Sequence, residues 1–487
     1  MKRTNNLTNN QLTITINDIE NNNFITYNKY YNDYVYVSIN LNYYDNKRCN
    51  FEDKTLNNFD NLLNYLFFNN KHYIIENLTL NYCHIENINE PIIKLLKKNQ
   101  LKYLNLNSNY IKNIDSLIEV LKHNTSLKEL YLINNYEFIY NFDSFKNVIK
   151  YNKTLTHIEI FDNVLLSKNL SLIKPIIEAL KYNNTIEYMD FNKIKFKNDE
   201  EINDILSLLQ YNNSITELNL SSLYTFIEYN AKKDILTDIN PITNILLCNK
   251  NIKKLNLSKN CSIKNIETLN DVLIQNNIEY LNIEMCYIDI AHIIKGLMKN
   301  NSLKHLNISY NFCSNISELG LCLKNIKTLQ ELKVEALFDY TCYYKVPRCE
   351  AFPVPDCLHF RKPKDSNKYS CNLLIPSLSF KSFLINLLDN NNTLTKLNVS
   401  KMITNNEDLA VLNELLINNK KLKYLDMYGN WWFYDIINKK PINFHIIKDN
   451  LLKYSLKQLN IFTNYIPYER RNEFDDILNF IKEHYKN

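Results

Sequence analysis

The chain has 487 residues, 45% of them hydrophobic, with a formal charge of +5. It is too long for one compact globule on the usual scaling, and too balanced in charge to seek nucleic acid or an anionic membrane on that ground. Only three Gly occur, Gly296, Gly320 and Gly429, which excludes phosphate loops, dinucleotide fingerprints and nucleophile elbows, all of which need clustered Gly.

The opening MKRTNNLTNN has no apolar leader, and no stretch of about 18 apolar residues occurs anywhere, so neither a signal peptide nor a membrane span is expected and the location expected is cytoplasmic. The odd count of 11 Cys fits a reduced protein. Residues 1–50 read as a β-rich cap, because LTITI (12–16) and YVYVSINL (34–41) alternate apolar and polar residues. From residue 51 to 487 one pattern recurs, L-x-x-L-x-L-x-x-N/C-x-I, with Ile, Val or Met allowed for Leu. LKYLNLNSNYI (101–111), IENLTLNYCHI (75–85), IEYLNIEMCYI (278–288) and LKQLNIFTNYI (456–466) match it fully. Looser copies start at Leu127, Leu155, Ile186, Ile215, Ile252, Leu303, Leu329, Leu394 and Leu422. A weaker copy, YVSINLNYY (36–44), precedes them.

Each copy carries two periodicities. The L-x-L core predicts a short strand with Leu104 and Leu106 inward and Asn105 outward. An apolar stripe at helical spacing follows, such as Leu117, Ile118, Val120 and Leu121, or Ile293, Ile294, Leu297 and Met298. No single copy buries both faces alone; stacking does so. Two Asn series recur. One stands three residues before eight of the strand starts, at Asn124, Asn152, Asn183, Asn212, Asn249, Asn300, Asn391 and Asn419, where a left-handed helix end is expected. The other stands at the ninth position, as at Asn109, Asn135, Asn260 and Asn311, where the amide is expected to turn inward onto backbone. Cys83 and Cys286 take that ninth position and are expected to be buried structure. FDDILNFIKEHYKN closes the chain as an amphipathic capping helix over 472–487.

Over about residues 75–487 the copies resemble the intracellular ribonuclease-inhibitor-like leucine-rich-repeat proteins. The resemblance implies an α/β solenoid, a horseshoe with a parallel sheet on its concave face and helices on its convex face. Members of that family act as inhibitors, sensor arms, scaffolds, ubiquitin-ligase adaptors and Ran GTPase activators. It therefore implies a non-catalytic scaffold or adaptor with a protein partner, no cofactor and no small-molecule substrate. A small-GTPase regulator and a ubiquitin-ligase substrate adaptor are the alternatives. The near-neutral C-terminal helix, and the lack of an F-box-like segment before the repeats, count against them.

Candidate sites follow from the repeat. Residues between the strand leucines face one side. There Glu159, Asp162, Glu187, Asp190 and Glu217 form an acidic patch relieved only by Lys193, suited to a protein partner or else simply a solvated surface. The third position gives Glu129, His157 and Tyr188, then Tyr280, His305 and Glu331, on successive strands; a polar ladder is the reading, since neither His has a nucleophile or metal cluster beside it. Long connections at 224–241, 338–379 and 430–443 follow three strands and are aromatic, with Tyr224 in the first, Tyr343 and Tyr344 in the second, and Trp431, Trp432 and Tyr434 in the third. They are expected to form a contact edge, or to fold back as local packing. The insertion (338–376) holds Cys342, Cys349, Cys357, His359 and Cys371. These ligand types suit zinc, but no C-x2-C knuckle is present, and free thiols in a Pro-stiffened loop are the alternative.

Overall fold

The computed structural model describes residues 11–14 and 35–42. From 73 to 485 it describes all but 83–84, 89, 136–141, 161–172, 193, 197–198, 226–237, 261–262, 276, 338–379, 390, 404, 430–449 and 462–470. The chain forms two compact units, Met1–Phe196 with Glu201–Asn219, and Lys197–Glu200 with Leu220–Asn487. Each is a leucine-rich-repeat solenoid of parallel strands alternating with helices.

The amino-terminal unit orders its strands as they come in the chain: β1 (Gln11–Ile14), β2 (Val35–Asn42), β3 (Tyr73–Asn81), β4 (Tyr103–Asn105), β5 (Glu129–Tyr131), β6 (His157–Glu159), β7 (Tyr188–Asp190) and β8 (Glu217–Asn219). Every neighbouring pair is parallel. The two alternating segments of residues 1–50 thus continue the same ladder. In the carboxy-terminal unit the order is β9 (Lys254–Asn256), β10 (Tyr280–Asn282), β11 (His305–Asn307), β12 (Glu331–Lys333), β13 (Lys396–Asn398), β14 (Tyr424–Asp426) and β15 (Gln458–Asn460), again all parallel. Residues 338–379 intervene between β12 and β13, yet Glu331 still pairs with Lys396 and Leu332 with Leu397. The ladder steps across the insertion without a change of phase.

Strand phase follows the leucine pattern. Leu101, Leu104, Leu106 and Ile111 are fully buried, and typical strands bury the middle residue while flanking residues stay half-exposed. The helices add their own stripe: Leu117, Ile118 and Leu121 in Asp115–Leu121 are buried, as are Ile293, Ile294 and Leu297. Two expected stripe members miss the core. Met298 is 53% exposed and Val120 only half-buried, because each lies off the inward side of a short helix. Where helices approach most closely a side chain is excluded: a Cβ at Gly320, in helix Ile316–Asn325, would lie 2.7 Å from the Phe383 carbonyl oxygen of helix Phe380–Leu388. The closing helix runs Arg471–His484 and turns Ile477 and Ile481 inward.

Both Asn series are ladders of buried amides. The ninth-position Asn109 donates to the Leu80 and Leu106 carbonyls at 2.7 and 2.9 Å and accepts from the Ile85 amide at 3.2 Å. Asn135, Asn260 and Asn311 repeat that arrangement. Cys286 takes the position with its thiol on the Leu257 carbonyl, and burial pushes that thiol up to about 12; Cys83 lies outside the described residues. The second series corrects the expectation of left-handed helix ends. Asn212, Asn249, Asn300 and Asn419 are extended, for example φ −85°, ψ 131° at Asn212. Their side chains do the capping instead: Asn152 donates to the Leu121 and Asn124 carbonyls and accepts from the Thr154 and Leu155 amides.

The left-handed residue stands elsewhere, at the eighth position. All ten repeats whose eighth position is described have positive φ there: Tyr82, Ser108, Asn134, Ser222, Lys259, Met285, Tyr310, Ala336, Lys401 and Gly429. This turn keeps the chain bonded sideways past the strand, as in the Lys259 amide to the Glu284 carbonyl. Nine of these ten are not Gly, although a left-handed L-residue costs roughly 1–2 kcal/mol.

Four stability outcomes follow, readable by chemical denaturation. Leu104→Ala or Leu306→Ala costs roughly 2–5 kcal/mol. Asn109→Ala costs at least about 2 kcal/mol, because buried carbonyls lose their donor. Lys259→Gly, at an exposed site, gains roughly 0.5–1 kcal/mol after the entropy cost of Gly. A loss at Lys259→Gly would show that the left-handed turn is unstrained. Asn105, expected to be a bland exposed site, is 9% exposed and accepts from the Asn107 amide; its replacement costs about 1 kcal/mol.

Candidate functional site

The repeat brings positions 3 and 5 of successive strands into rows on one sheet face, spaced about 4.8 Å apart. In the amino-terminal unit the register aligns Glu129, His157, Tyr188 and Glu217 in one row. The adjacent row holds Tyr131, Glu159 and Asp190. Glu159, Asp190 and Glu217 from the acidic patch therefore do gather on one face, half-buried, while Glu187 sits exposed at its rim. Asp162 and Lys193 lie outside the described residues.

Aromatic rings hold the carboxylates in place. Tyr131 donates to Glu129 at 2.8 Å, Tyr188 donates to Asp190 at 3.2 Å, the Tyr103 and Tyr131 rings meet at 5.1 Å, and His157 stacks on Tyr188 at 5.5 Å. Asp190 also accepts from the Asn192 amide at 2.6 Å, so one of its oxygens closes the turn after the strand. Burial and the neighbouring Asp190 and Glu129 charges push the Glu159 carboxyl up to about 7, against a hydrogen bond from Tyr188. None of the groups that set its ionisation is a cation.

The carboxy-terminal unit has a different face. Tyr280, His305 and Glu331 align across β10 to β12, as their spacing predicted. His305 Nδ1 lies 3.4 Å from Glu331, and Lys333 and Lys396 lie 3.5 and 3.6 Å from the same carboxylate. Burial alone would raise Glu331, yet the two lysines and His305 hold it below the usual carboxylate range. His157 instead meets the Thr156 hydroxyl at 2.9 Å. Both histidines are rungs of polar ladders.

At the turn edge of this unit Lys401, Tyr310 and Glu335 form a closed triad, with Lys401 and Tyr310 at 2.5 Å and Lys401 and Glu335 at 2.9 Å. Sequence reading missed it, because the three residues are far apart in the chain. The shared signal is repeat phase: Tyr310 and Lys401 both hold the eighth position and Glu335 the seventh. Burial, and then the bond to Glu335, push the Tyr310 hydroxyl up to about 12, the opposite of what an activated phenol requires.

The aromatic edge candidates are placed only in part. Tyr224 begins a two-residue strand, Tyr224–Thr225. Tyr343, Tyr344, Trp431, Trp432 and Tyr434, with the zinc candidates Cys342, Cys349, Cys357, His359 and Cys371, lie outside the described residues. Among the described residues no group of three or more His, Cys, Asp or Glu is placed to hold a metal ion, and no helix is long and apolar enough to cross a membrane.

No family model and no curated protein matches the chain. Solved structures do. An internalin from Listeria monocytogenes is 16% identical, with 78% of this chain and 84% of that one covered at a TM-score of 0.40. A leucine-rich-repeat protein from Leptospira interrogans is 16% identical, with 83% and 82% covered at 0.38. Rad7, solved with Elc1 in yeast, is 15% identical, with 78% and 81% covered at 0.46. The fold assignment stands on the chain's own strands and helices.

One pH outcome follows from the contrast between faces. Folded Glu159 keeps a proton that the unfolded chain has lost between its ordinary 4.5 and about 7, so its contribution to stability falls as pH rises through that window. Glu331 works oppositely: its contribution is present above the ordinary carboxylate range and fades on acidification. The denaturation midpoint of the wild type should therefore drop more between about pH 5 and pH 8 than that of Glu159→Gln. Parallel curves would mean that Glu159 is ordinarily solvated.

Proposed function

We propose that this chain is a ribonuclease-inhibitor-like scaffold that holds a protein partner on its strand faces and turn-side edges and performs no chemistry itself. The observation that carries this reading is the amino-terminal strand face. Glu129, Glu159, Asp190 and Glu217 stand on four successive strands, framed by tyrosines, and burial and like charge push the Glu159 carboxyl up to about 7. Such a face is costly to keep apart from positive charge, and a basic partner surface relieves it. Counted over positions 2, 3, 5, 7 and 8, the first six repeats carry seven acidic and three basic residues, and the other seven carry five acidic and nine basic. A partner that reads this contrast is a protein with its own charge pattern rather than a uniform polyanion.

Helices recurring with strands at 25 to 31 residues in most repeats support the ribonuclease-inhibitor-like subtype. Buried free thiols at Cys286, Cys313 and Cys322 suit a reducing, intracellular setting. The aromatic connections supply the anchors in this reading: Tyr224, Tyr343, Tyr344, Trp431, Trp432 and Tyr434 offer large area at low rotamer cost.

Affinity capture from the chain's own cells tests it. The partner should elute with added salt and be weakened by Glu159→Gln with Glu217→Gln. Trp431→Ala with Trp432→Ala should cost roughly 2 kcal/mol of binding or more. Capture indifferent to salt and to both double variants, with the Trp pair lowering only the melting temperature, would sink the reading.

A further inference from the structure

The carboxy-terminal unit holds a concavity of about 410 Å³ on its strand face, formed across β12 to β15. Its two carboxylates already hold partners. One oxygen of Asp426 takes the Ser400 hydroxyl, the Tyr428 amide and the Asn460 side-chain amide at 3.0 to 3.1 Å. Glu331 is shared by His305, Lys333 and Lys396. Its donors are held more loosely. The Lys333 and Lys396 ammonium groups stand 3.5 and 3.6 Å from Glu331, longer than a good hydrogen bond, with side chains 47% and 51% exposed. Each ammonium has three N–H groups to give. Asn398 spends its oxygen on the Ser400 amide, which leaves its NH₂ toward the cup. Tyr424, 37% exposed, provides a ring beside Lys396 at 5.5 Å.

We propose that this concavity receives the carboxylate of one acidic side chain, presented by a protein segment that lies across the strands. The proposal rests on reading the strand faces as protein-binding surfaces. Two ammonium groups and an amide converge where a carboxylate needs donors, and the Tyr424 ring and the cup floor take the methylene stem. Glu331 and Asp426 flank the same space, so a chain of closely spaced charges such as a nucleic acid would be repelled there, whereas a single carboxylate between neutral residues would not. An extended segment crossing the strands meets a new rung about every 4.8 Å, passing Gln458, Tyr424, Lys396 and Glu331 in turn.

A fluorescein-labelled Gly-Gly-Gly-Glu-Gly-Gly amide, followed by anisotropy at low salt with the full chain, tests the idea. It should bind. Lys333→Met with Lys396→Met should weaken it roughly tenfold, the worth of one charge-assisted hydrogen bond, while circular dichroism confirms the fold. Lys299→Met, at an exposed helix position, should leave it unchanged. Equal binding of the Gln counterpart peptide, tighter binding of an oligothymidylate, or indifference to the double substitution each overturns the proposal. If the peptide fails while salt-sensitive partner capture succeeds, this cup assignment alone falls. If both fail, the reading of the strand faces falls with it.

Discussion

A solenoid has no centre in which to hide backbone polar groups, so every repeat must satisfy its own from its neighbours. Here side-chain amides do this work. At the ninth position an Asn donates to carbonyls of two repeats and accepts from one, and three residues before eight of the strand starts another Asn closes the preceding helix end. A buried carbonyl without a partner costs about 1–3 kcal/mol, and each repeat exposes several. Strand phase and helix placement both depend on this bonding, because the leucines alone fix burial but not direction.

From that constraint the surface follows. With positions 4, 6, 9 and 11 committed to core and positions 5 and 8 committed in part to turns, the chain retains few positions for chemistry. Asp190 and Asp426 show the compromise: each lies on the strand face yet lends an oxygen to the turn that follows. Glu159 and Glu331 are freer, and their surroundings drive their ionisation in opposite directions. One motif thus yields an acidic face in one unit and a face of shared charges in the other, without altering the scaffold.

The fold was legible because the leucine phase has one inward solution, and the pairing of Glu331 with Lys396 across the 338–376 insertion shows how strong that phase is. The rows Glu129–His157–Tyr188 and Tyr280–His305–Glu331 were readable for the same reason. The helix-end Asn conformation was not: an Asn tolerates a left-handed backbone and also caps with its side chain, and composition cannot separate the two. The true left-handed position carries Lys, Met, Tyr, Ser and Ala as well as Asn and Gly, so no residue type announces it. The Lys401–Tyr310–Glu335 triad needs three repeats superposed before it can be seen. The aromatic edge and the Cys cluster were named from composition in segments where the repeat imposes no phase.

Amide ladders also set how the molecule ages. Asparagine is thermolabile: it deamidates when the following backbone nitrogen attacks its side-chain carbonyl, and the product Asp would place a carboxylate against the carbonyls that Asn109 now serves. Each Gly in the chain follows Lys, Leu or Tyr, so no Asn–Gly pair occurs. Most ninth-position Asn residues are followed by bulky neighbours, Tyr110 after Asn109, Tyr136 after Asn135, Phe312 after Asn311 and Trp431 after Asn430, while Cys261 follows Asn260. Crowding at that nitrogen, and an amide held by buried bonds, slow the attack. The scarcity of Gly therefore prolongs the chemical lifetime of the same side chains that hold the repeats together.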